Sequence, residues 1–179
     1  MSEISDFVSG NDIKRKLKNS VKVITYKDLL NYPTIESALE PNGRLVILYE
    51  QLPNIGHWVC LFWGPSEDDE FGTIYFFDSY GIKPDDEQHW IDVEFRQKNW
   101  QDRRYLSQLL AETPAEIEYN EYPLQGKGDN IGTCGKWVIA RLMMPYMNVQ
   151  EFGDLWTPDE GPSAYNSDTL VNEYYKSLN

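Results

Sequence analysis

Cysteine is scarce in this chain: Cys60 and Cys134 are far apart and no C-x-x-C pair occurs. That pattern argues against a disulfide framework, a zinc site and a thioredoxin-type motif, and no metal or cofactor is expected. No apolar run approaches the roughly 20 residues that span a bilayer, and no basic-then-apolar leader opens the sequence. A soluble protein of a reducing, intracellular compartment is the expectation, with no membrane partner. Cations are few, 16 against 29 acidic residues, and the net charge of -13 repels phosphate backbones. The one dense basic stretch, Lys14 to Lys18, reads as a solvated helix face, so no obligate nucleic acid is expected. Linkers, repeats and low-complexity segments are missing too, which leaves a single domain over residues 1–179. Its first twenty residues are polar, basic and expected to be peripheral, with Asn11 or Asp12 capping a short helix that carries Ile13 and Leu17 on one side.

What the chain does have is 41% hydrophobic and 14% aromatic residues, enough to fill a core without staples. Leu45 to Tyr49 and His57 to Trp63 read as buried strands joined by a connection of hairpin length, and Thr73 to Asp78 as a third strand ending on its carboxylate. Trp100 to Glu112 has the spacing of an amphipathic helix, and Glu116 to Tyr122 alternates like a half-exposed strand. From Cys134 an apolar run predicts a buried helix that Pro145 ends, and Ser167 to Leu178 predicts a last helix. The fold class is therefore α+β: a mixed, largely antiparallel sheet flanked by helices, with a cysteine at the N-terminus of a buried helix.

A thiol at a helix start faces unpaired N–H groups and the positive end of the dipole, where it ionises more readily. Cys134 is thus a candidate nucleophile, His57 its candidate base, and Asp78 the carboxylate that would orient the imidazole. Gln125 and the Cys134 backbone N–H are candidate oxyanion donors. Gly132, Thr133 and Gly135 beside the cysteine, with Trp58 beside the histidine, are candidate substrate contacts. Other residues compete for these roles: His89 as base, and Glu70 or Asp69 as the acid. Each element also has a plainer reading, Cys134 as a core residue of a binding or structural protein, Asp78-Ser79-Tyr80-Gly81 as a turn. Cys60, set in Val59-Cys60-Leu61-Phe62, reads as core.

Gly56-His57-Trp58, Phe77-Asp78-Ser79-Tyr80-Gly81, Pro123-Leu124-Gln125-Gly126 and Thr133-Cys134-Gly135 occur in that order over residues 45–145. This ordered set resembles the adenovirus-type and ubiquitin-like-protein-specific cysteine proteases, and most of all the compact virus-encoded maturation enzymes. The resemblance implies a cysteine endopeptidase with a Cys-His-Asp triad and a glutamine oxyanion donor. It implies capsid or core precursor proteins as substrates, cut near small residues such as glycine, and a location in the cytoplasm, a viral factory or the virion. Related functions are a deubiquitinase or SUMO-like protease, and an acetyltransferase with the same residue order. Adenoviral relatives use DNA and a peptide cofactor; the acidity of this chain departs from the first, and an activating peptide is left open.

Overall fold

The computed structural model describes residues 6–67, 70–128, 131–157 and 164–178. Five strands form one sheet in sequential order: β1 (Lys22–Thr25), β2 (Arg44–Leu52), β3 (Ile55–Gly64), β4 (Thr73–Phe77) and β5 (Glu116–Tyr119). The two central pairings, β2–β3 and β3–β4, are antiparallel, and the two edge pairings, β1–β2 and β4–β5, are parallel. The described helices are α1 (Gly10–Lys16), α2 (Ile35–Leu39), α3 (Val93–Lys98), α4 (Tyr105–Glu112), α5 (Cys134–Met143), α6 (Val149–Trp156) and α7 (Ala164–Ser177), with 3-10 turns at Tyr26–Asn31 and Asp86–Trp90. The mixed α+β architecture expected from the sequence is present.

Side chains alternate across a strand, and here both faces of the sheet are covered. Val46, Leu48, Trp58, Cys60, Phe62 and Phe77 join one core with residues of α1, α5, α6 and α7. Leu45, Ile47, Tyr49, Val59, Leu61 and Phe76 join the other with residues of α2, α4 and the first 3-10 turn. That two-sided burial is why β2 and β3 are near-continuous apolar runs rather than alternating ones.

The opening segment departs from its expected peripheral place. Val8, Ile13 and Leu17 are buried in the first core, because positions 13 and 17 share the inner face of the first helical turns. Ser9, not Asn11 or Asp12, is the N-cap; Asp12 completes a capping box by accepting from the Ser9 backbone N–H. The helix expected over 100–112 is shorter and starts at Tyr105. Gln101, fully buried, instead exchanges two hydrogen bonds with the Glu50 backbone and holds the end of β2.

Candidate active site

Three adjacent stretches of chain build the site. His57 lies in β3, opposite Tyr49 and next to a register shift of β2. Gly56 is required there, since a Cβ would stand 1.9 Å from the Tyr49 carbonyl oxygen. Asp78 is the first residue past β4, where the ladder stops and a side chain is free to turn. The Asn120 side chain replaces the missing rungs: its Oδ1 accepts from the Asp78 N–H at 3.1 Å, and its Nδ2 donates to the Asp78 carbonyl at 2.6 Å. The Asp78 backbone is thereby pinned before its carboxylate engages anything.

His57 Nε2 and Asp78 Oδ1 are 2.8 Å apart, and both residues are buried. The Tyr80 N–H donates to the same oxygen at 2.8 Å. Tyr80 also stacks on the imidazole, ring centroids 4.5 Å apart at 19°, which fixes the plane of the ring. Burial opposes a charge on His57, but the Asp78 carboxylate, and then a hydrogen bond and charge from Cys134, more than offset it and hold the His57 pKa well above its ordinary value. Cys134 opens α5 and is buried to within 6% of full cover. With Nε2 committed to Asp78, Nδ1 is the imidazole nitrogen left for the thiol.

Gln125 is buried, and the polar groups around its amide favour one orientation. Its Oε1 accepts from Ser79 Oγ at 2.6 Å, while its backbone N–H and that of Leu124 both donate to the Ser79 carbonyl. The amide Nε2 faces the Tyr80 hydroxyl and the Ile131 carbonyl at 3.4 and 3.3 Å. From Ile131 the chain runs through Gly132 and Thr133 into α5.

The expected substrate contacts turn inward. Trp58 donates its indole N–H to the Val8 carbonyl at 3.0 Å and lies under the start of α5. At Gly135 a Cβ would stand 2.7 Å from Val8 and 3.3 Å from Trp58, so its smallness lets the start of α5 pack on both. Thr133 is fully buried and donates its hydroxyl to Asp168, and Gly132 is buried as well. His89 is exposed, whereas Asp78 is the acid bonded to His57; Asp69 lies outside the described residues. Cys60 is wholly buried in the first core, and burial pushes its thiol pKa far up.

Two acids that the sequence reading passed over belong here. Glu87, inside a run that looks solvated, is buried, and burial with the Asp78 charge pushes its pKa to about 7 against the opposing pull of His57 and Lys127. Glu87 Oε2 and Asp78 Oδ2 are both buried with no hydrogen-bond partner among the described residues. His57, Asp78 and Glu87 each place one donor atom within 4.8 Å of the others, the spacing at which a cation is sometimes shared. The second acid is Asp168, on α7 and fully buried. No local pattern marks it, because its role depends on contacts across 30 residues and more.

His57 thus bonds Asp78 and interacts with Cys134, and the Gln125 amide reaches Tyr80, whose ring stacks on the same imidazole. No family model matches the chain. The chain is 38% identical over 145 residues to the uncharacterized protein V9 of Sputnik virophage, covering 81% of this chain and 80% of V9, and it belongs to that protein's family. Among solved structures it resembles a protease of ASFV, with a TM-score of 0.47 and 11% identity over 94% of this chain and 67% of that one.

Proposed function

We propose that the chain is a cysteine endopeptidase in which Cys134 is the nucleophile, His57 the base and acid, Asp78 the orienting carboxylate and Gln125 an oxyanion donor. The observation that carries this reading is the buried 2.8 Å bond from His57 Nε2 to Asp78 Oδ1, with Cys134 interacting with the same imidazole. Burial disfavours a charge on the imidazole, and the Asp78 carboxylate first, then Cys134, offset that cost.

The Cys134 thiolate attacks the scissile carbonyl carbon, and a C–S bond forms as the C=O π pair moves to oxygen. Gln125 Nε2 and the Cys134 N–H stabilise that oxyanion. On collapse the C–N bond breaks, and the leaving nitrogen takes its proton from His57 Nδ1. His57, now neutral, removes a proton from water as it attacks the thioester, and the acid product leaves with the thiolate restored. Throughout, the Asp78 bond and the Tyr80 stack keep the ring in one tautomer and one plane. The substrate class is protein, taken here as a capsid or core precursor cut near small residues such as glycine; the net charge of -13 would draw a basic precursor.

Iodoacetamide labelling of the full chain, read by mass spectrometry, tests the thiol. Cys134 should be alkylated at least about 100-fold faster than Cys60 at neutral pH, and His57→Ala should slow it at least about tenfold. Equal, slow labelling of both cysteines would make Cys134 an ordinary core residue and end the proposal.

A further inference from the structure

Eight residues, three of them glycine, separate Gln125 from Cys134 in sequence, yet the oxyanion donor at one end and the nucleophile at the other must keep a fixed spacing. Ser79 holds the first end from upstream. The other restraint comes from the far end of the sequence. Asp168 Oδ2 accepts from the Gly126 N–H at 2.7 Å, directly after Gln125. Its Oδ1 accepts from the Thr133 hydroxyl, directly before Cys134, and from Trp137 Nε1 at 2.9 Å, one turn into α5. One carboxylate thus bonds the residue after Gln125 and the residue before Cys134, each with its own oxygen. Burial raises the Asp168 pKa, while the Thr133, Gly126 and Trp137 donors and the Lys136 charge favour its ionised form.

We propose that Asp168 is a positioning residue that sets the distance between Gln125 and Cys134, with Oδ2 governing the oxyanion side and Oδ1 the nucleophile side. The proposal rests on the endopeptidase reading above. Its division of labour is what makes it testable. In Asp168→Asn the amide oxygen keeps the two donors from Thr133 and Trp137, because the flipped amide would set its NH2 against Trp137 Nε1–H, which can only donate, and would force the Thr133 hydroxyl to reverse from donor to acceptor. The NH2 then meets the Gly126 N–H, donor against donor, and the Gln125 end is released. In Thr133→Val the opposite end is released and the Gly126 bond is kept.

Two probes separate the ends. Hydrolysis of p-nitrophenyl acetate passes through an oxyanion before p-nitrophenolate departs, whereas alkylation by iodoacetamide displaces iodide at a CH2 and forms none. Asp168→Asn should lower ester turnover about tenfold, less than outright loss of an oxyanion donor, and leave the Cys134 alkylation rate within about twofold of wild type. Thr133→Val should slow alkylation and ester turnover together. Thermal midpoints taken alongside identify any variant that fails to fold, and the other then carries the test. The inference fails if Asp168→Asn leaves ester turnover unchanged, or if both variants lower both rates in the same proportion. A wild-type chain that neither hydrolyses the ester nor alkylates preferentially at Cys134 refutes the endopeptidase reading itself, a different result from either.

Discussion

Replacing Glu87 with glutamine should change how the stability of the fold depends on pH, and the size of the change follows from its surroundings. Glu87 is 4% exposed, and burial first, then the Asp78 charge, raise its pKa from the ordinary 4.5 to about 7. Below about pH 4 the side chain is protonated in both the folded and the unfolded chain and costs nothing. Between the two values only the unfolded chain releases the proton, so stability falls as pH rises, and above about 7 the full cost of a buried charge is present. A displacement of that size corresponds to about 3 kcal/mol. Glu87→Gln keeps the shape and removes the ionisation. Urea unfolding at about pH 5 and about pH 8 gives the comparison, taken as the difference between variant and wild type so that His57 and other groups titrating in both chains largely cancel. The variant should gain stability relative to wild type by about 2.5 kcal/mol between the two pH values, since some of the cost is already present at about pH 5. Parallel curves for the two proteins would show that Glu87 is solvated or paired rather than a buried, unpartnered carboxyl beside Asp78.

Ser79→Ala removes the donor from the buried Gln125 carbonyl, which should cost about 1–3 kcal/mol and lower p-nitrophenyl acetate turnover as the amide loses its fixed orientation; an unchanged rate would take Gln125 out of the oxyanion site. Gly56→Ala drives a Cβ into the Tyr49 carbonyl, and only displacement of β2 from β3 beside His57 relieves it. Loss of at least about 2 kcal/mol in thermal or urea unfolding is expected, and a change under about 0.5 kcal/mol would contradict the backbone placement there.

The three central strands were legible because a sheet covered on both faces leaves an unmistakable apolar signature at Leu45–Tyr49, His57–Trp63 and Thr73–Phe77. β1 was not, since Lys22–Thr25 is only half-buried and carries no such run. α4 begins later than its apolar spacing suggests because Gln101 bonds the β2 backbone, a tertiary demand that periodicity does not encode. At the site, His57 and Asp78 were readable from strand ends and Cys134 from a helix start. Glu87 was hidden in an acidic run that normally marks solvent, and Asn120 and Asp168 have partners distant in sequence. The burial of Thr133 and Gly135 was equally hidden, because a small residue beside a candidate nucleophile looks the same whether it clears room for a substrate or for Trp58 and Val8.

The hold of α7 on the Cys134 segment has a consequence for the order of events in synthesis. Cys134, His57, Asp78 and Gln125 all leave the ribosome before Asp168 does, and Lys136 on α5 likewise waits for Asn172, whose Oδ1 accepts from its Nζ at 2.6 Å. A nascent chain therefore carries all four residues before α7 can bond the segment that holds Cys134. The Cys134 segment thus gains its Asp168 and Asn172 contacts only once α7, which follows it in the chain, has emerged and folded against α5.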